Sequence, residues 1–177
     1  MAATHLIELA KHMEWADAVV WTSVLASDAV RGDQRIRGLL HHVHVVQHVF
    51  LHLWRGDPLR GTEQPDFPDA ASTAAWGRDG HAGIQAFLAA ADETLLARPL
   101  HVPWSAELER MLGRPIVPAT IGQTALQLAV HSAHHRGQIN IRLRESGIVP
   151  PLVDFIAWAW SGQPAAAWPI AAVGRTA

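Results

Sequence analysis

Eight histidines in two short stretches are the residues of this chain best suited to chemistry: "LLHHVHVVQHVFLHLW", Leu39 to Trp54, holds five, and "HSAHHRGQ", residues 131 to 138, holds three. The chain has no cysteine, so a metal could be held only by imidazole, carboxylate or water. His131 and His135 stand four residues apart and share one helix face. That spacing gives two imidazole nitrogens a bite suited to Zn²⁺, Ni²⁺ or Fe²⁺. The same pair could equally be two stacked helical histidines without metal. A zincin is excluded, because Ser132 stands where its general-base glutamate would be. A di-iron carboxylate site is disfavoured, since neither histidine has a glutamate three residues before it.

A helical wheel sorts the upstream histidines. His42 falls in an apolar sector with Leu39, Val43, Val46, Val49, Phe50 and Leu53. It is expected to enter the core, either as a third ligand facing His131 and His135 or as a core histidine bound to a backbone carbonyl. His41, His44, His48 and His52 fall on the opposite side. They are expected to form a solvated or subunit-facing surface, with at most an adventitious metal pair among them. His134 points about a quarter-turn away from His131 and His135, which suits a supporting or surface role. Gln138 and Arg142 continue the 131/135 stripe with Thr124 and Leu128. They could orient a water or pair with an anionic group, although Arg142 also suits a helix-end ion pair. Asp154 could orient a ligand histidine or cap the helix that follows it.

The elements that must position these residues are almost all helical by periodicity. A first helix carries Leu6, Leu9, Met13, Ala16, Val20 and Val24 at spacings of three and four, with Thr4 as its expected N-cap. A second spans about Arg35 to Trp54. The Pro- and Gly-rich "GDPLRGTEQPDFPDAAS" then reads as a long crossover. A third helix runs from about Ser72 to Leu95, an irregular link follows, and a fourth runs from Ile121 to Glu145 with Gly147 behind it. A short helix is expected around Asp154 to Trp160. The whole, residues 1–177, reads as one all-α domain, a four-helix bundle. With 49 % hydrophobic and 17 % charged residues and a net charge of −2, the chain is globular and lacks the basic patch that nucleic acid or an anionic membrane requires. No apolar run reaches the ~20 residues of a bilayer span, and the N-terminus does not read as a secretory signal. A soluble, cytoplasmic protein is therefore the expectation.

The second-helix stretch, together with "TALQLAVHSAHHRGQINIRLRESGIVPPLVDFIAWAW" and the opening "LAKHMEWADAVV", resembles the DinB/YfiT-like proteins. The resemblance spans most of the chain. It implies an up-down-down-up four-helix bundle with the long crossover between helices 2 and 3. It also implies a divalent metal on His42, His131 and His135, and a homodimer. The better understood members are metal-dependent transferases or isomerases that use a low-molecular-weight thiol such as bacillithiol, mycothiol or glutathione. The resemblance thus points to a thiol transferase-like enzyme acting on a small molecule.

Three neutral imidazoles would leave a divalent charge uncompensated, so the open positions suit water or an anion. Metal coordination deprotonates a thiol and brings bound water to a pKa of about 7. A thiol transferase, a metal-dependent hydrolase and a non-catalytic metal- or ligand-binding dimer therefore share one expected ligand set. A structural dimer whose histidines bind nothing is the remaining reading.

Overall fold

A computed structural model describes residues 2–59 and 67–169. The middle of the expected crossover, residues 60–66, lies outside the described residues. Eight helices follow one another among them: α1 (Ala2–Leu25), α2 (Asp28–Arg31), α3 (Gln34–Arg55), α4 (Ala70–Ala90), α5 (Glu93–Leu96), α6 (Ser105–Leu112), α7 (Ile121–Glu145) and α8 (Phe155–Trp160). The structure is all-helical, and the only β pairing among the described residues is an isolated bridge between Pro99 and Thr120.

Local chemistry sets the boundaries. Asp33, Asp69 and Asp92 accept hydrogen bonds from Ile36 N, Ser72 N and Leu95 N, capping α3, α4 and α5. Thr120 and Gln123 form a reciprocal capping box at the start of α7. Gly56, with φ 73°, closes α3 in the left-handed conformation. Three expectations need correction. Thr4 lies inside α1 and does not cap it. The expected third helix breaks at Ala91, which is extended, and Asp92 starts α5 afresh. The link before α7 contains α6, a helix too short to show a clear period.

The four long helices pack so that α1 and α3 each touch both α4 and α7. Contacts near their ends give relative directions. Arg142 near the end of α7 pairs with Asp33 at the start of α3, and Trp54 at the end of α3 bonds Thr124 in the first turn of α7, so these two run antiparallel. His48 meets Trp76 and Arg55 meets Gly83, so α3 and α4 run parallel. Two apolar clusters fill the interior. One holds Leu6, Met13, Leu51, Trp54, Ile84, Ile121 and Leu128, and the other holds Val20, Trp21, Ile36, Leu40, Ala74, Ile139 and Leu143.

The buried side of α3 differs from the one its apolar residues suggest. Ile36, Leu40, Val43, His44, Gln47, Leu51 and Trp54 are buried, whereas His42 is exposed. The expectation that His44 lies on an outer face with His41, His48 and His52 is overturned: His44 is 0 % exposed. His41 and His48 face α4, each stacking on the Trp76 ring. His52 is half-buried, with Nδ1 donating to the Pro58 carbonyl. Two buried polar residues, His44 and Gln47, mark the core side, and their hydrogen bonds offset the cost of burying them.

Close approach of α3 to α4 requires glycine at position 77. A Cβ there would stand 2.4 Å from the ring of His44. Because that ring is held through both nitrogens, it has no room to give. Gly77→Ala should lower stability by about 1–3 kcal/mol despite the helix propensity gained. Gly38→Ala, where a Cβ meets nothing within 4 Å, should raise it by up to about 1 kcal/mol. Urea unfolding of the two variants checks this, and equal effects at both positions would contradict it.

Candidate metal centre

Three imidazoles meet in the groove between α3 and α7. His131 Nε2 lies 3.2 Å from His42 Nε2 and 3.1 Å from His135 Nε2. The ring centroids of His42 and His135 are 4.7 Å apart. Donor atoms of the three all lie within 4.8 Å of one another. Nitrogens on a tetrahedral ion at 2.0–2.1 Å are separated by about 3.3 Å, so the spacing fits a shared cation. His42 is exposed and His131 and His135 are half-buried, which leaves the cluster open on one side.

Proton placement fits the same ligand set. His135 Nδ1–H donates to Gln138 Oε1 at 2.9 Å, which leaves its Nε2 lone pair bare. Gln138 Nε2 in turn donates to His134 Nε2 at 3.0 Å. Neutral imidazole carries one proton, so a single His131 proton cannot satisfy both Nε2 neighbours. His131 Nδ1 has no partner among the described residues. Burial, then the neighbouring His135, His42 and His134, push the His131 pKa down to about 4. Burial, then His135 and His41, lower that of His42. Both rings are therefore neutral at pH 7, the form that offers a lone pair to a cation.

Two sequence candidates lie elsewhere. Arg142 pairs with Asp33 at 2.8 Å and Glu145 at 3.1 Å, tying the end of α7 to the start of α3. Asp154 occupies the N-cap position of α8 without a side-chain cap bond, and lies with His12 and Phe155 against another face of α7. Neither joins the three histidines, whereas Gln138 and His134 adjoin them.

A second cluster escaped the sequence reading. Asp17, His44 and His81 are all buried and offer ligand atoms within 4.8 Å of one another. Asp17 accepts from Arg136 Nη1 at 2.7 Å, Gln47 Nε2 at 2.8 Å and His81 Nε2 at 2.9 Å. Trp21 Nε1–H donates to His44 Nε2 at 2.8 Å, and His44 Nδ1–H donates to Gln47 Oε1 at 2.8 Å. Gln47 also donates to Ser132 Oγ at 3.2 Å. Both His44 nitrogens are occupied and the guanidinium already neutralises Asp17, so this cluster is a structural network and a poor cation site. A signal did exist: Asp17 is a lone charge between Ala16 and Ala18 on a helix face that is otherwise apolar, and a carboxylate there requires a buried partner.

The DinB family model matches residues 1–166 of the chain. No curated protein matches it.

The buried network makes stability fall with acid. Burial pushes the His44 pKa down to about 4, so the folded form keeps the ring neutral. The unfolded chain takes up that proton first, from about pH 6.5 downward. Stability is therefore complete above pH 6.5 and is lost as pH falls toward 4, at up to about 1.4 kcal/mol per pH unit for this proton. Asp17, although burial opposes its charge, is held ionised chiefly by Arg136, and its contribution is lost in the same direction below about pH 3.8. Denaturant melts of His44→Gln between pH 6.5 and 4.5 should show a slope smaller by about one proton than the parent protein. An unchanged slope would contradict the assignment.

Proposed function

The chain belongs to the DinB family, and we propose that it is a metal-dependent transferase which activates a low-molecular-weight thiol for transfer to a small molecule. The observation that carries this reading is the convergence of three Nε2 atoms, from His42, His131 and His135, on one open point. A divalent transition metal held there by His42, His131 and His135 would supply a Lewis acid able to favour deprotonation of a thiol near neutral pH. The proposed frame is an up-down-down-up four-helix bundle of α1, α3, α4 and α7. The antiparallel α3–α7 pair and the parallel α3–α4 pair support it.

This chain's residues have separable tasks in that reaction. His42 reaches the site from α3 and the other two from α7, so the two helices must hold their register for the set to close. Gln138 fixes the tautomer and ring orientation of His135, with His134 behind it as acceptor. The exposed side at His42 admits the reactants. Because no carboxylate among the described residues belongs to the cluster, the charge of a bound cation would be left to be balanced by an anionic reactant. That favours an incoming thiolate over a structural ion closed off by four protein ligands. A homodimer is part of the proposal, supported by the exposed apolar residues Leu126, Val130 and Ile141 on α7 and Leu152, Ile156 and Trp160 after it. Among the described residues no helix is long and apolar enough to cross a membrane.

Addition of glutathione, mycothiol and bacillithiol to a small electrophile, followed with the metal-loaded protein, tests the reading. One thiol should be consumed, His135→Ala should lose the rate by at least about 100-fold, and Gln138→Leu by about 10- to 100-fold. Activity that survives His135→Ala, or ester hydrolysis without any thiol addition, would count against it.

A further inference from the structure

Along α3 and α7, about one to two helical turns from the histidine cluster, lies a cavity of about 630 Å³ that none of the three histidines lines, within the ~300–1,000 Å³ common for small-molecule sites. It is walled by α3, α7 and the segment of residues 100–119 that carries α6. Phe50, Val102, Trp104 and Leu108 give it an apolar lining, with the Phe50 and Trp104 rings edge-to-face at 6.5 Å. Thr124 and Gln127 form part of its α7 wall. They lie about two turns and one turn before His131 on the same stripe, each turn advancing about 5.4 Å along the helix. On α3, Phe50 lies about two turns beyond His42. The cavity thus continues the groove in which the imidazoles meet.

Its electrostatics restrict what can enter. Among the described residues that line it, none is Lys or Arg, Glu109 is the one carboxylate and His101 the one imidazole. A Glu109 oxygen accepts from Ile116 N at 3.2 Å, which holds the carboxylate at the wall. An anionic group in this space would lose hydration, would find no permanently charged cation to replace it, and would face Glu109 as well. An uncharged apolar group pays neither penalty and gains the contact with the aromatic rings.

We propose that this cavity binds the body of the substrate, an uncharged aromatic or aliphatic group, with the reacting end directed along α7 toward His131. The proposal rests on the metal-centre reading for the position of the chemistry, while the charge preference of the cavity stands apart from it. His101, Ser105, Glu109 and Gln127 are among the polar groups that line it and could orient such a molecule.

Two fluorescent probes that share one ring system test it: neutral N-phenyl-1-naphthylamine and anionic 8-anilinonaphthalene-1-sulfonate. The neutral probe should bind at least about tenfold more tightly, a difference of about 1.4 kcal/mol. Ser105→Trp, which fills the cavity from its α6 wall, should abolish neutral-probe binding with circular dichroism and metal content unchanged. Leu108→Arg should shift the preference toward the sulfonate by about tenfold, an effect that simple loosening of α6 would not produce. Equal affinities for the two probes, or neutral-probe binding that survives both substitutions, would overturn the proposal. Position is read separately: Co²⁺-loaded protein should broaden the proton resonances of the bound neutral probe relative to Zn²⁺-loaded protein. His135→Ala should keep the probe and lose the broadening. A probe that stays bound and sharp in Co²⁺-loaded protein would overturn the placement, whereas failure of metal uptake with the charge preference intact would refute the metal-centre reading alone.

Discussion

One buried carboxylate holds the four long helices together. Asp17 on α1, 2 % exposed, is bonded by Gln47 of α3, His81 of α4 and Arg136 of α7. Burying this charge is costly, and removing any partner would leave another stranded, so the set is maintained as a unit. It separates the two apolar clusters, which by themselves would tolerate rotation or sliding of one helix past another. Hydrogen bonds are directional, and three of them to one residue fix the roll of three helices about their axes. The position of every outward-facing residue at this level follows from that roll.

The histidine cluster is the outward counterpart of the network. On α7, Ser132 and Arg136 point inward to Gln47 and Asp17, which turns their neighbours His131 and His135 toward the α3 groove. On α3, His44 and Gln47 point inward, which leaves His42 at the rim, where it meets His131. Gly77 permits the His44 ring to approach α4 closely enough for this register. The three imidazoles are thus positioned by residues outside their cluster, and the cluster stays open on one side.

Much of this was legible from residue order. The span of α7 follows from its periodicity, its capping box and Gly147 behind it. The pairing of His131 with His135 follows from helix geometry alone. His42 was singled out for an incorrect reason: the wheel placed it in the core, whereas it stands exposed at the groove. Apolar residues surround α3 on several sides, so hydrophobic periodicity could not fix its inward face, and His44 falls outward on the wheel although it and Gln47 are buried. Their burial depends on Asp17, His81 and Arg136, which lie 27 to 92 residues away from His44 in the chain, and no local pattern carries that dependence. The short helix at Phe155–Trp160 was legible, because an apolar run follows Asp154, whereas α2 and α6 lie in links with no such run of apolar residues to mark them.

The central claim is that the three Nε2 atoms share one cation. Its most direct test is X-ray diffraction from crystals of untagged protein, recorded above and below the absorption edge of the metal it carries. The predicted result is a single anomalous peak about 2.0–2.2 Å from Nε2 of His42, His131 and His135, with non-protein density completing its coordination. No peak at that point in protein supplied with Zn²⁺, Ni²⁺ or Fe²⁺, or a peak instead among Asp17, His44 and His81, would contradict it.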